Sequence, residues 1–468
     1  ELERQAVEKA EAGSPVGLEV SGDLEQEAGP EGVLLLDEEL AVRTALENNL
    51  QLKTEAVDLR IKERAADYAW NRFIPSVQAS GTMGRMNEAQ SMDVLTSFQE
   101  VPPDTDIPAY QSANLPQWSV SAGLDFSLTL NLAMYNGILG TRIDYRQGRI
   151  SYEQAQRRVV RDVRKSFYNL LLMQENRALM QENIDAAQRR YEQAQINYEN
   201  GMVPELQVLS ARVAWENMKP QLKQLDLGYQ QALQGFKMSL GVDMNREIEL
   251  EGSIEAEAVT VDAEKLIEEY LTDRLDVRSM LGTIEALENQ LQATKLQVYT
   301  PQLILGFNMD PGLVGDPWAD PWFGDGAEWN QRSGMFRLTL AMSLDGLLPF
   351  SQTQIGMREL EDNIQKTRLG LLQTIRGAKM EIDSTVRQLE KSRDTIDTLL
   401  LNVERARRAY EMAEEAYNAG SQELLEVQNA EIELKSAQLE VLKERYNYLS
   451  ALIDLEYQLN TEIEKLSE

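Results

Sequence analysis

The chain contains no cysteine and no histidine. Disulfide staples, Cys/His zinc sites and catalysis by thiolate or imidazole are therefore excluded. Nor is there a run of about 18 apolar residues, which excludes an ordinary transmembrane helix. That absence does not touch β-strands, whose alternating pattern crosses a bilayer in about ten residues without any such run. Basic residues are scarce beside acidic ones: 46 Lys and Arg against 77 Asp and Glu, a net charge of −31 over 468 residues. The deficit argues against a nucleic-acid partner, because a phosphate backbone is gripped by clustered Lys and Arg. It fits either a solvated, self-repelling surface or a lumen that attracts cations. Carboxylates alone remain for catalysis. No carboxylate pair stands out from the acidic background, so neither an enzyme nor a cofactor or metal site is expected.

Residues 1–31 are rich in Glu, Ala, Gly and Ser with few large apolar side chains, and read as a flexible acidic leader. The chain opens at Glu1 without a basic or apolar targeting segment, so any export signal precedes this numbering. Helical periodicity begins after Asp37, a suitable N-cap, and predicts a helix over 38–73 that stops before Pro75. Two further helices are expected over 139–200 and 203–240, separated by Gly201 and Pro204. The order then recurs: helices over 263–299, 352–419 and 422–459, the last two separated by Gly420. Tyr198, Gly201, Leu206 and Val208 match Tyr417, Gly420, Leu425 and Val427 at a constant offset. The chain thus reads as two structural repeats, 32–240 and 263–460, with 241–262 between them and a tail over 461–468. The longest helices would extend about 90–100 Å at about 1.5 Å per residue. No globular core buries such helices, so they pack against one another as antiparallel hairpins. Pro220 falls inside one of them and should kink it. Gly228 and Gly235, like Gly370 and Gly377, are spaced to let helices approach closely.

Between the short and long helices of each repeat the period changes to two. In W118-S-V-S-A-G-L-D-F-S-L-T-L, Trp118, Val120, Leu124, Phe126 and Leu128 share one face, and Ser119, Ser121, Asp125 and Ser127 the other. In M335-F-R-L-T-L-A-M-S-L-D, Phe336, Leu338, Leu340 and Met342 alternate with Arg337, Thr339 and Ser343. Strands are expected over about 76–87, 117–131, 302–310 and 334–346. Their length suits either a tilted bilayer-spanning strand or a half-buried soluble sheet. Trp318, Trp322 and Trp329, set among Asp, Gly and Pro in one connecting loop, suit a membrane–water interface, although a partner-binding patch would look the same. Four strands cannot close a barrel, which needs at least about eight, and lipid does not tolerate an open sheet edge. If the strands cross a membrane, several chains must share one barrel, and three copies would supply twelve strands and twelve long helices.

Taken together, L36-D-E-E-L-A-V-R-T-A-L-E-N-N-L-Q-L, F73-I-P-S-V, L271-T-D-R-L-D-V and the paired Tyr-x-x-Gly turns resemble the TolC-like outer-membrane channel family over roughly residues 33–460. The resemblance implies a mainly α fold with a membrane β-barrel portion. It implies a homotrimer with a twelve-stranded barrel in outer-membrane lipid and a twelve-helix tunnel across the periplasm. It also implies a belt to which 241–262 and the stretch before Asp37 contribute. The partners implied are a periplasmic adaptor and an inner-membrane transporter, in efflux or type I secretion. The two turns would be the periplasmic tip, closed at rest, with Tyr198, Gly201, Gln207, Ser210, Tyr417, Gly420, Gln422, Glu426 and Asn429 as the gating positions. The family's acid six residues after the first glycine is here Gln207. Its basic residue two after the second is Gln422, and its acid nine after is Asn429, so an ion-pair lock is not expected. A Tyr417–Gln207 hydrogen bond is the expected remnant. Glu426 is either the acid of a threefold ring or part of a solvated helix face. The tyrosines at seven-residue spacing, Tyr191, Tyr198, Tyr410 and Tyr417, read as helix-packing residues. The rival reading is a coiled-coil scaffold of the cell envelope without a membrane role.

Overall fold

The computed structural model describes residues 33–87, 91–94, 111–114, 118–255, 259–314, 334–419 and 421–461. The acidic leader, the loop with Trp318, Trp322 and Trp329, Gly420 and all but Thr461 of the tail lie outside the described residues. Elements in chain order are β1 (Leu34–Leu36), α1 (Glu38–Asn48), α2 (Leu50–Asp67), β2 (Ser76–Arg85), β3 (Ser91–Val94), β4 (Gln111–Asn114), β5 (Trp118–Leu130), α3 (Ala133–Glu199) and α4 (Glu205–Leu240). There follow β6 (Ile248–Leu250), α5 (Ala263–Tyr270), α6 (Leu275–Tyr299), β7 (Gln302–Met309), β8 (Gly312–Val314), β9 (Gly334–Ala341), α7 (Gln352–Asn418) and α8 (Leu424–Leu459). The chain divides into two units. One comprises residues 62–145 and 284–366; the other comprises 1–61, 146–283 and 367–468.

The helices α3 and α7 are each 67 residues long and α4 and α8 each 36. Their apolar residues recur at helical spacing, so burial of that stripe, rather than propensity, holds such long helices. Asp37 caps α1 by accepting from the Leu40 N–H at 2.7 Å, and Asp262 caps α5 by accepting from the Glu264 N–H at 3.0 Å. β1 pairs in parallel with β6, Leu34 opposite Ile248 and Leu36 opposite Leu250. Leu34 and Leu36 then join Phe167, Leu170, Phe236, Leu240 and Leu250 in one buried cluster. A second cluster sets Ile382, Val386 and Leu389 of α7 against Leu452, Leu455 and Leu459 of α8, with Leu266 of α5.

Several expectations are corrected. The helix expected over 38–73 breaks at Asn49 (ψ 120°). The Asn49 side chain caps α2 by accepting from the Leu52 N–H at 3.0 Å and donates to the Ser239 carbonyl at 2.7 Å. The helix expected over 263–299 is interrupted at 271–274, where Arg274 turns inward to Asp276 and Glu381. The strand expected to reach residue 346 ends at Ala341. Pro220 lies inside α4, which is helical throughout 205–240. One glycine of each spaced pair meets a neighbour: a Cβ on Gly228 would touch Met173 and one on Gly370 would touch Met280, whereas Gly235 and Gly377 face open space.

The smaller unit carries a sheet in the order β2-β5-β7-β9, all antiparallel, with β8 continuing along β5 beyond Pro311. A separate antiparallel pair joins β3 to β4. The ends of α6 and α7 in this unit meet through Leu291, Val298, Met357 and Ile364.

Candidate functional site

Strand register sorts the side chains of the sheet. Directly opposed residues of antiparallel strands point to the same side, so each row across the sheet has one face. Val77, Phe126, Phe307 and Phe336 form one row, with the Phe126 and Phe307 ring centroids 6.0 Å apart. Leu128, Leu305 and Leu338 form the next, and Leu130, Leu303 and Leu340 the one after. Trp118, Val120 and Leu124 continue this apolar face along β5; Met342 lies just past β9 and is exposed. The opposite rows include Gln78–Asp125–Asn308–Met335, Ser76–Ser127–Gly306–Arg337 and Thr129–Ile304–Thr339, which mix polar side chains with Met335 and Ile304. No described layer covers the apolar face: Phe336 is 68% exposed and Leu340 70%. β2 and β9 each have a described strand on one side only, which leaves an edge of main-chain donors and acceptors on the other.

Both helical hairpins close with the same backbone device. At the first turn the Gly201 N–H donates to the Tyr198 carbonyl and the Met202 N–H to the Asn197 carbonyl, each at 2.8 Å, with Gly201 at φ +71°. At the second, the Ser421 N–H donates to the Ala416 carbonyl at 2.9 Å, the same span of chain. Between the two turns lies a small apolar cluster of Ala194, Ala211 and Leu424, packed by Tyr191, Val208 and Tyr417. Tyr198, Ser210, Gln422, Glu426 and Asn429 are exposed around it and Gln207 is half-buried. Next along the helices, Arg190 of α3 pairs with Glu431 of α8, their side chains only 12% and 9% exposed. Burial raises the Glu431 carboxyl above the usual range, although Arg190 pulls the other way. Burial likewise raises the Tyr417 hydroxyl. Further along the same pair of helices, Arg164 of α3 holds both Glu38 and Glu456, and the Tyr168 hydroxyl donates to Glu38.

A model of the outer membrane efflux protein family matches residues 41–242 and 327–461. The chain belongs to that family. Solved structures agree on the fold. The Campylobacter jejuni CmeC outer membrane channel aligns with TM-score 0.72 at 16% identity, over 90% of this chain and 85% of that one. The outer membrane protein VceC from Vibrio cholerae gives 0.68 at 16%, over 91% and 96%. The open state of the Neisseria gonorrhoeae MtrE outer membrane channel gives 0.69 at 14%, over 92% and 90%. No curated protein matches the sequence.

Within this efflux-protein fold the structure gathers Tyr417, Val208, Leu424 and Ala211 at the turns but does not join Tyr417 to Gln207. The phenol ring is drawn into the apolar cluster instead. Tyr191 stacks on Trp215 with centroids 5.6 Å apart, and the Tyr410 hydroxyl donates to Glu414 at 3.2 Å. Tyr198 is exposed, so the tyrosines do not share one packing role. The buried pair Arg190–Glu431 was not singled out by sequence. One signal was available: Glu431 stands seven residues after Leu424, on the buried stripe of α8 also marked by Val427. Nothing in spacing alone couples Arg164 to Glu38 and Glu456, which are brought together from three distant segments.

Proposed function

We propose that the protein is an outer-membrane exit duct that works as a homotrimer. Three four-stranded sheets would join β9 to β2 around a twelve-stranded barrel, continued by the long helices as a tunnel through the periplasm. The observation that carries this reading is the sheet itself: among the described residues, one apolar face without cover and two unpaired edges. Lipid accommodates the face, and only closure with other copies removes the edges. Further apolar side chains stand exposed along α7 (Leu369, Leu372, Met380, Leu401, Met412) and α4 (Leu206, Leu209, Val213, Leu227), which favours burial of helix against helix of a neighbouring copy. Membership of the efflux protein family supports the same conclusion. The relation of 32–240 to 263–460 as two repeats belongs to this reading, as does a belt formed where β1 pairs with β6.

In this function the chain supplies a conduit and a gate rather than chemistry. The gate would lie at the turns around Gly201 and Gly420, where a periplasmic adaptor and an inner-membrane transporter of an efflux pump or type I secretion system would engage. That an MtrE structure represents an open state supports a gated duct in this fold. The coiled-coil scaffold is disfavoured by the uncovered sheet face. Protein extracted from outer membranes with detergent should have the mass of a trimer and conduct ions in planar bilayers. A monomer that stays soluble without detergent and gives no conductance overturns the proposal.

A further inference from the structure

Beside the Arg190–Glu431 pair lies a cavity of about 450 Å³ between α3, α4 and α8. Its walls are mixed. Ala187, Ala214, Met218, Ile432 and Leu439 make it apolar, while Asn183, Asn217 and Gln428 bring amides to it. Its charges do not balance, because Arg190 and Lys435 face a single acid, Glu431. Arg190 gives Nη2 to Glu431 and leaves Nη1 buried with no hydrogen-bond partner. The Lys435 ammonium, 3.1 Å from the Met180 sulfur, has no carboxylate within ion-pair distance among the described residues. The neighbouring acid Glu414 is exposed and holds the Tyr410 hydroxyl. Burial lowers the Lys435 pKa below its ordinary value, as expected of an ammonium short of counter-charge.

We propose that this cavity is a binding site for a small organic anion with an apolar body and one carboxylate or equivalent group. The apolar wall takes the body. The anion sits at Lys435, within reach of the guanidinium that Glu431 only half satisfies. A ligand there touches both helical hairpins at once. The site lies in the helical wall and does not depend on what the duct exports.

The test is equilibrium dialysis of the full-length protein in zwitterionic lipid nanodiscs, with empty discs as reference and naphthalene-2-carboxylate as probe. Its neutral isostere, naphthalene-2-carboxamide, reports the apolar contribution alone. The carboxylate should bind saturably, about one per chain and roughly tenfold or more tighter than the amide, the ratio one ion-paired contact supplies. Lys435→Gln should remove that preference and leave amide binding unchanged, and Ala214→Leu, which fills the cavity, should weaken both probes. Absence of saturable binding, equal affinity for acid and amide, or unchanged binding in both variants overturns the proposal. Circular dichroism of each variant separates loss of the site from loss of fold. A protein that conducts but does not bind the probe refutes this site and leaves the duct intact.

Discussion

Two glycines with nearly the same backbone offer a controlled experiment. Gly201 has φ +71° and Gly241 φ +72°, and both end helices in left-handed conformation. Alanine in that region costs about 1–2 kcal/mol relative to glycine, and about 0.4–1 kcal/mol returns through the stiffer unfolded chain. Gly201→Ala should therefore destabilise by about 1 kcal/mol or less, since nothing lies within 4 Å of the added Cβ. At Gly241 the same Cβ would stand 2.2 Å from the Asn48 carbonyl oxygen and 2.6 Å from its carbon. Those are backbone atoms, so the α1–α2 junction must move. The two hydrogen bonds of the Asn49 side chain, to Ser239 and Leu52, would move with it. At about 1 kcal/mol each, they bring the expected loss for Gly241→Ala to about 3 kcal/mol. Thermal unfolding followed by helical circular dichroism, at one scan rate for both variants, measures the difference. Equal shifts, or a larger one at Gly201, would falsify the reasoning.

Other perturbations follow from the same structure. Arg164→Gln removes the guanidinium that Glu38 and Glu456 share, and should cost about 3 kcal/mol of stability; part of it should return in the triple variant with Glu38→Gln and Glu456→Gln, read by thermal unfolding. Glu431 holds its proton more tightly folded than unfolded. As pH rises from the ordinary glutamate range through its raised value, wild-type stability should fall relative to Glu431→Gln. A melting-temperature difference that grows in the opposite direction contradicts this. Phe336→Arg puts a charge on the face proposed to meet lipid, at a cost of about 2–4 kcal/mol near the bilayer centre. Thr339→Arg, on the opposite face, should be tolerated. The yield of protein in outer-membrane fractions distinguishes them.

What sequence made legible was periodicity. The strands β5 and β9 showed themselves because the apolar positions alternate strictly, and the ends of α3 and α4 because Gly201 and Pro204 leave the helix few options. α3 starts at Ala133, ahead of the expected 139: its first turns contain Gly137 and Gly140, which lower helix propensity, while Asn131 caps the helix by accepting from the Met134 N–H at 2.9 Å. The break at Asn49 was hidden because both flanking segments keep helical spacing, and the reason for stopping, the Ser239 carbonyl, is supplied by a remote helix. Around the turns, glycine and tyrosine spacing located the backbone geometry but not the side-chain partners. Tyr417 settles on alanines and leucine from other helices, a choice that packing decides and spacing does not.

The short parallel pair of Leu34–Leu36 with Ile248–Leu250 carries a consequence for the order of events during maturation. The whole first pair of long helices is synthesised between the two strands, so the leucines at the start have no mate until the middle of the polypeptide emerges. Closure of a loop that long is entropically slow. Amide-exchange protection at Leu34–Leu36 should accordingly arise late, after α3 and α4 are protected. A chain cut before Ile248 should never acquire it.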